Sequence, residues 1–360
     1  MNKKDKFLTN HILTISFGDS LKMHPIISTK EYKNFKEYYL FNQFKLFTIK
    51  NCGILQNFKS VVNWWFSVNF IDNHIVIKFF GFKICKKYKC IYQLPKISIS
   101  GVTKIKRNTK LIASLTTYPA RINTIHKTIS SLLSQTLKPD ELILWLAEEQ
   151  FPDRELPDNL TRLEQYGLKI MWYEKDIKSF KKLIPTLQKY PNDIIVTFDD
   201  DYYYDEKILE YLYNAYLENP NYIHARQAFI VKGQKVKSLH PRSYVYNSSY
   251  LPSYRNEPVG CGGVLYPPHT LHENVLNENE FLKELPTHDD IWFWGHALRN
   301  NTKISVLRNG YDLKNYIIEG SQADSLWQKN KNKSTLQGGM TGKHAINKVC
   351  KLFPDVQDKL

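Results

Sequence analysis

The chain has 360 residues, 42% hydrophobic and 14% aromatic, a composition that excludes a disordered protein and allows one large core or two smaller ones. Its formal charge of +15 is concentrated in residues 1–107, which contain 19 basic and 5 acidic side chains, against 31 and 30 in the rest of the chain. We therefore expect a basic amino-terminal region over 1–107, a nearly neutral domain over 108–345 and a carboxy-terminal tail over 346–360.

The cysteines and the apolar stretches bear on the cellular compartment. The five cysteines form no CxxC pair and no His pair lies nearby at zinc-finger spacing, so a structural zinc is not expected. An odd cysteine count and a charged amino terminus unlike a secretory leader predict a cytoplasmic protein. The most apolar stretch, 61–84, is interrupted by Asn, Asp, His and Lys, so it is not expected to span a bilayer.

Aromatic and basic side chains are mixed in the amino-terminal region. Trp64, Trp65 and Phe66 precede the lysine-rich stretch 83–89. This combination suits peripheral docking on the anionic inner face of the cell membrane, with rings in the interface and lysines on phosphates. It also suits RNA binding, and a small cap packed on the following domain is a third interpretation.

From residue 110 onward, short β-rich runs alternate with helical patterns, which predicts an α/β fold with a mostly parallel sheet and flanking helices. The predicted strands cover 111–116, 142–146, 168–172 and 193–198. Between them, helical spacing of apolar residues predicts a helix over 122–133, a short helix that ends at Gly167, and a helix over 180–190 with a kink at Pro185.

The pattern becomes less regular beyond residue 206. A helix is predicted over 208–216 and a short strand over 222–226. Residues 231–258 are rich in Ser, Tyr, Asn and Pro, which predicts an irregular loop that forms a lid or an acceptor wall. The glycines of 260–263 predict a close backbone approach or unusual dihedral angles.

Three aspartates, Asp199, Asp200 and Asp201, directly follow the predicted fourth strand. Ligands of open α/β sheets collect at the carboxyl ends of strands, and hard carboxylate oxygens there suit Mg²⁺ or Mn²⁺ bridging two phosphates. If strand geometry persists, Asp199 and Asp201 point to one face; Asp201 is then the expected metal ligand, and Asp199 a second ligand or a ribose contact. A solvated acidic turn is the alternative.

A second acidic pair, Asp289 and Asp290, follows His288 and begins an aromatic helical pattern. Carboxylates are favoured at a helix amino terminus, so N-capping would explain them. In a transfer reaction, one of them would instead remove the proton of an attacking hydroxyl. We assign that role of general base to Asp290, with Asp289 orienting it or binding the acceptor.

Basic residues near the predicted strand ends would neutralise a departing diphosphate. Lys181 and Lys182 lie just before the fourth strand, and Arg121 and Arg226 follow the first and fifth strands. Solvated surface positions are the alternative for the lysines.

These motifs together resemble the GT-A glycosyltransferases, which have a Rossmann-like, nucleotide-diphospho-sugar transferase fold, and are similar to bacterial sugar transferases of the family 2 type. The resemblance covers about residues 110–300 and is carried by residues 115–122, 135–140, 176–185, 199–201 and 288–290. It implies donor binding by Thr117, Tyr118, Arg121 and the lysines, a metal on the aspartates and an inverting displacement with Asp290 as base. One departure is that Asp289 stands where that family usually has Glu.

The sequence therefore predicts a metal-dependent glycosyltransferase that moves a sugar from a nucleotide-sugar donor to a glycan or lipid-linked acceptor. The resemblance implies a role in bacterial surface polysaccharide or lipooligosaccharide synthesis, with no nucleic-acid partner. A nucleotidyltransferase shares the sheet and the acidic site, but the stretch after the first strand lacks the glycines expected of its phosphate loop. A basic nucleic-acid-binding protein with an inactive α/β domain is the alternative outside enzymes.

Overall fold

The computed structural model describes the backbone of residues 9–14, 25–32, 35–40, 44–50, 66–71, 74–79 and 82–87, and residues 101–232, 235–239, 251–307, 316–319, 321 and 342–360. Side chains are described within 101–231, 251–307, 317–319, 321 and 342–360. By its internal contacts the chain divides into two units, Met1–Cys90 and Ile91–Leu360.

The first unit contains two antiparallel sheets. One has four strands in the order β1-β2-β3-β4 and the other three in the order β5-β6-β7. Their bounds are β1 Thr9–Thr14, β2 Pro25–Tyr32, β3 Phe35–Leu40, β4 Phe44–Lys50, β5 Phe66–Ile71, β6 His74–Phe79 and β7 Phe82–Lys87. The lysine and aromatic side chains behind the membrane, RNA and cap interpretations lie outside the described residues, so those interpretations stay predictions.

A mostly parallel sheet of seven strands forms the centre of the second unit, which confirms the predicted α/β class. The described strands of this unit are β8 Leu111–Thr116, β9 Glu141–Ala147, β10 Leu168–Tyr173, β11 Ile194–Phe198, β12 Tyr202–Tyr203, β13 Ile223–Ala225, β14 Ala228–Lys232, β15 Lys235–Leu239, β16 Asn256–Pro258, β17 Val264–Tyr266, β18 Ile304–Val306 and β19 Tyr316–Ile317. The order of the seven-stranded sheet is β10-β9-β8-β11-β17-β13-β18, and β17 runs antiparallel to both of its neighbours. The other strands of this unit form two smaller sheets, β12-β19 and β15-β14-β16.

Strands β8, β9 and β11 are mostly apolar and almost entirely buried, as expected when both faces of a sheet are covered. Along β11, Ile194, Val196 and Phe198 belong to one hydrophobic cluster, and Ile195 belongs to a second cluster. Side chains alternate between the two faces of a strand, so the two clusters lie on opposite faces of the sheet.

The helices cover those faces. They are α1 Ile125–Leu133, α2 Asp158–Thr161, α3 Ile184–Lys189, α4 Ile208–Glu218, α5 Glu278–Glu284, α6 Asp289–Arg299, α7 Gly342–Leu352 and α8 Pro354–Gln357. Helices α1 and α4 pack in the cluster of Val196, whereas α6, α7 and α8 pack in the cluster of Ile195. None of the helices within the described residues is long and apolar enough to cross a membrane.

Two local predictions about helix ends have different outcomes. Gly167 has a φ of 106° at the end of the turn Arg162–Tyr166, which confirms it as a left-handed terminator. The single kinked helix over 180–190 is wrong, because a 3-10 turn covers Lys178–Lys182 and an α-helix starts anew at Ile184. Pro185 lies in the first turn of α3, where its missing N–H is tolerated, so it begins a helix and does not kink one.

The predicted irregular loop over 231–258 is also wrong in its described part. Strand β14 pairs with β15 and with β16, and both pairings are antiparallel. Strands β14 and β16 have only five and three residues, so the local pattern did not reveal them.

Candidate active site

The functional candidates gather at the carboxyl ends of β8 and β11, which are parallel neighbours in the middle of the sheet. The chain places β9 and β10 on one side of β8 and β11 on the other, so the direction of strand addition reverses between β8 and β11. Ligands of open α/β sheets bind in the crevice at such a reversal. The topology therefore puts the predicted site residues where a ligand site is expected.

Lys182 is the centre of one charge cluster. Its Nζ lies 2.8 Å from Asp289 Oδ2, 2.9 Å from Asp199 Oδ1 and 3.2 Å from Asp290 Oδ1. The Lys182 side chain is only 3% exposed. Burial by itself lowers the pKa of Lys182, but the three carboxylates hold it well above its ordinary value. Lys182 is therefore a permanent cation that joins Asp199, at the end of β11, to the acidic pair of α6.

Asp290 has the properties of a general base. Its Oδ2 accepts a hydrogen bond of 2.8 Å from the backbone N–H of Gly260. Burial raises the pKa of Asp290 to about 7; Lys182 lowers it, and the charges of Asp289 and Asp199 raise it. A carboxylate with a pKa near neutral can accept a proton readily, because it is ionised in a useful fraction of molecules and is more basic than an ordinary aspartate.

Asp289 has a different environment and a different role. Its Oδ1 accepts a hydrogen bond of 2.7 Å from Ser179 Oγ, and Oδ2 pairs with Lys182. Burial raises the pKa of Asp289, but Lys182 and Ser179 outweigh that effect and hold it below the ordinary value. The two adjacent aspartates are thus separated into a fixed anion, Asp289, and a titrating carboxyl, Asp290.

The N-capping interpretation of this pair is not what the structure shows. His288 is the N-cap residue of α6, and Asp289 and Asp290 lie in the first turn. The carboxylate of Asp290 binds the backbone of Gly260 and the ammonium of Lys182, both outside α6.

Gly260 is packed directly against this cluster. A Cβ at position 260 would lie 2.5 Å from Lys182 Nζ and 2.7 Å from Asp290 Oδ1, which is closer than real Cβ contacts. We expect Gly260→Ala to displace Asp290 and to lower turnover about a hundredfold, since general-base catalysis depends on geometry of this kind. Turnover and melting temperature of the purified variant would be measured together.

Gly342→Ala is the matched control for that substitution. Position 342 begins α7, and among the residues that the structure describes no atom lies within 4 Å of a Cβ placed there. It should leave turnover unchanged. Normal turnover in Gly260→Ala would show that the contact between Gly260 and Asp290 has no role in the reaction.

Arg121 is the centre of a second charge cluster, on the other side of the aspartate triplet. It forms a hydrogen-bonded ion pair with Asp200 Oδ1, and its Nη2 lies 3.2 Å from Asp201 Oδ2. Nη2 also donates a 2.9 Å hydrogen bond to the carbonyl of Ser321, and Thr117 Oγ1 donates a 2.6 Å hydrogen bond to Asp200 Oδ2. Burial lowers the pKa of Arg121, but Asp200 and Asp201 raise it above its ordinary value.

The three aspartates are therefore divided between two cations. Strand geometry ends at Phe198, so Asp199 and Asp201 do not continue the alternation of β11. Asp199 contacts Lys182, whereas Asp200 and Asp201 contact Arg121. Of the triplet, Asp199 has a side chain that is 32% exposed and Asp201 one that is 10% exposed.

Asp199 and Asp201 fit a divalent cation by donor type. Carboxylate oxygens are the hard ligands that Mg²⁺ and Mn²⁺ prefer. Within the part of the chain that the structure describes, no group of three His, Cys, Asp or Glu side chains could hold a metal ion. An ion at these two carboxylates would take its remaining ligands from phosphate and water, as Mg²⁺ commonly does.

The remaining predicted donor residues lie at the same edge of the sheet. Tyr118 presents its ring to the Arg121 guanidinium, with 5.6 Å between the guanidinium carbon and the ring centroid. Lys181 is buried and forms a hydrogen-bonded ion pair with Asp176, so it does not share the carboxylates of Lys182. Burial lowers the pKa of Lys181 despite that partner. Of the two neighbouring lysines, Lys182 belongs to the acidic cluster.

Sequence reasoning did not identify three residues that the structure places here. Ser179 and Gly260 hydrogen-bond the acidic pair, and burial, together with the charges of that pair, raises the pKa of Glu257. The glycines of 260–263 signalled a close backbone approach, and Gly260 makes it. No local signal distinguished Ser179 or Glu257.

No model of a known protein family matches the chain, and no curated protein matches it. The solved structures that resemble it include three crystal structures of S. aureus TarS 1-349. The complex with UDP has 18% identity and a TM-score of 0.36, and the match covers 56% of this chain and 58% of that chain. The structure named without a ligand has 18% identity and a TM-score of 0.37 over the same shares. The complex with UDP-GlcNAc has 19% identity and a TM-score of 0.37, with 56% of each chain covered.

This chain thus spans less than two thirds of the TarS chains that it resembles. Because the TM-scores lie below 0.5, this likeness does not decide the function.

Proposed function

We propose that the protein is a glycosyltransferase of the GT-A type that uses a nucleotide-sugar donor. The observation that carries the proposal is Asp290, a partly buried carboxyl with a pKa of about 7, linked through Lys182 to Asp199 at the reversal point of the sheet. A titrating base beside an acidic strand end is what transfer of a sugar from a diphosphate to a hydroxyl requires.

In the proposed reaction, an acceptor hydroxyl attacks the anomeric carbon of the donor sugar. Asp290 takes the hydroxyl proton as the new C–O bond forms, and the bond to the nucleotide diphosphate breaks with its electron pair on the departing phosphate oxygen. A single displacement of this kind inverts the anomeric centre. Gly260 N–H and Lys182 hold Asp290 in place, and Asp289 keeps Lys182 charged.

The donor diphosphate would lie at the aspartate triplet. Asp199 and Asp201 are the residues that would hold a divalent cation, and a bound Mn²⁺ or Mg²⁺ would supply neutralisation of the diphosphate charge. Arg121 holds Asp201 and Asp200 in position through its two guanidinium nitrogens. Thr117 and Tyr118, on the loop after β8, would line the nucleotide side of the same crevice.

The acceptor class is part of the proposal. We propose a glycan or lipid-linked acceptor of a bacterial surface polysaccharide or lipooligosaccharide, reached by a cytoplasmic enzyme at the inner face of the membrane. The support is the charge of residues 1–107, which hold nearly all of the excess of basic side chains.

A thermal-shift screen of nucleotide sugars tests the donor and the metal together. UDP, GDP and CMP sugars, UDP-GlcNAc among them, would be added with and without Mn²⁺. We expect one donor to raise the melting temperature of the wild type by about 5 °C at saturation, and only with metal. Asp201→Ala should lose the metal-dependent part of that shift, because it removes a ligand of the cation.

Asp193→Ala is the control for that loss, since Asp193 lies at the opposite end of β11 and binds the backbone N–H of Lys110. It should keep the response to donor and metal. No metal-dependent stabilisation by any of these donors would contradict the proposal.

A further inference from the structure

The sheet formed by β14, β15 and β16 carries a carboxyl and an aromatic ring on one face. Glu257 in β16 and Phe229 in β14 are directly opposite each other in the antiparallel pairing. Side chains of directly opposite residues lie on the same face, with Cβ atoms about 5 Å apart. The register therefore places the Glu257 carboxyl beside the Phe229 ring.

Glu257 is a buried acid without an internal partner. The residue is 5% exposed, and within the described residues its carboxyl makes neither a hydrogen bond nor an ion pair. Buried carboxyl groups are normally hydrogen-bonded, because an unsatisfied one costs free energy. Such a group close to a reaction site is explained when a ligand supplies the missing hydrogen bond.

Glu257 interacts electrostatically with Asp290, the proposed base, and lies three residues before Gly260. Its electrostatic neighbours are Asp290 and Asp289, and its strand leads directly to Gly260, whose N–H binds Asp290. The strand is held to its neighbour by a 3.1 Å hydrogen bond from Val259 N to Gln227 O. A ligand atom that reached Glu257 would therefore lie near the proton acceptor of the proposed reaction.

Phe229 is an exposed aromatic side chain on the same face as Glu257. It is 37% exposed, although it lies next to a buried residue on the same face of the sheet. An exposed aromatic ring can pack against the C–H face of a pyranose, while a nearby carboxyl binds the hydroxyl groups at its edge.

We propose that Glu257 and Phe229 form the acceptor subsite, with the ring against a pyranose of the acceptor and the carboxyl hydrogen-bonded to one of its hydroxyl groups. This inference rests on the proposed function, which supplies the reaction that Asp290 serves. It assigns the acceptor class as a pyranoside and gives strands β14 and β16 a specificity role.

The ionisation of Glu257 agrees with this role. Burial raises its pKa well above the ordinary value, and the charges of Asp290 and Asp289 raise it further. The neutral acid form of Glu257 is thereby favoured. A neutral carboxyl donates one hydrogen bond and accepts others, which suits an acceptor hydroxyl better than a second anion would.

The test is acceptor kinetics with p-nitrophenyl pyranosides of glucose, galactose and N-acetylglucosamine, followed by nucleotide release from a donor that the wild type turns over. We expect Glu257→Ala to raise the acceptor KM about tenfold, and Phe229→Ala about fivefold, with the donor KM unchanged. Glu257→Gln should stay within about threefold of the wild type, because the amide still donates and accepts. That rescue separates an acceptor contact from a structural role.

Leu217→Ala is the matched control for Phe229→Ala, because Leu217 on α4 is also an exposed apolar side chain, at 59%. It should leave both KM values unchanged. If Glu257→Ala fails to fold, Phe229→Ala still carries the test. If the wild type is active and the acceptor KM is unchanged in Glu257→Ala and Phe229→Ala, the subsite is wrong but the proposed function stands. A wild type without nucleotide release from any donor overturns the proposed function and the subsite with it.

Discussion

Asp290→Asn is expected to lower kcat about a thousandfold while leaving the protein folded. The amide keeps the shape of the carboxyl and can still accept from Gly260 N–H, but it cannot take the proton of the acceptor. In the wild type, kcat/KM should fall as the pH drops below about 7, because protonation removes the base. Both effects would be measured from initial rates of nucleotide release at pH values from 5 to 9, spaced about one pH unit apart.

Asp193→Asn is the control for the loss of activity, because it removes a carboxyl at the far end of β11. It should keep the wild-type kcat and the same acid limb. An Asp290→Asn enzyme with more than about a tenth of the wild-type kcat would exclude Asp290 as the general base.

Asp290→Asn should also change the pH dependence of the melting temperature in a predictable direction. The pKa of Asp290 in the fold is about 7, above the unfolded value of about 3.9, so the folded protein binds this proton more tightly. Its stabilising contribution is therefore lost as the pH rises through about 7. Above that pH, Asp290→Asn should melt at a higher temperature than the wild type, and the difference should shrink towards about pH 4.

Lys182→Met is expected to lower the free energy of unfolding by about 3 kcal/mol, because it leaves Asp199, Asp289 and Asp290 without their shared cation. Lys182 also lowers the pKa of Asp290, so its removal should move the acid limb of kcat/KM to a higher pH. Urea unfolding gives the first quantity, and the pH profile of any residual activity gives the second.

Lys181→Met is the matched control, since Lys181 is the adjacent residue and is equally buried. Its partner Asp176 has a side chain that is 25% exposed, so water solvates the carboxylate when the lysine is removed. The loss should be about 1 kcal/mol, and the acid limb should not move. If the two variants lost the same free energy of unfolding and had the same pH profile, Lys182 would not be the lysine that stabilises ionised Asp290.

The strands of the central sheet could be predicted because their signal is local. The run 111–116 was predicted as a strand and forms β8 with the same bounds, and 168–172 differs from β10 by one residue. A buried parallel strand is apolar on both faces, so its signal does not depend on which strand lies beside it. Strands β14 and β16 were not predicted, because they are short and are defined by their pairing with each other.

The candidate site could be predicted in part for the same reason. The aspartates of 199–201 follow a clear strand, and the pair Asp289 and Asp290 begins a clear helix. Their types and local positions were sufficient to predict the candidate acidic site. Glu257 lies in a stretch without a recognisable local pattern, so nothing in the sequence connected it to the site.

The amino-acid sequence by itself determined the class of the fold, the strand that ends in the aspartates and the helix that begins with the acidic pair, because each depends on neighbouring residues. Only the tertiary structure decided that Lys182 and not Lys181 joins Asp199 to Asp290, and that Arg121 holds Asp200 and Asp201. Those choices depend on segments that are distant in the chain and meet through the sheet order. The pKa of Asp290 also depends on the tertiary structure, because desolvation and the charges of Lys182, Asp289 and Asp199 together set it.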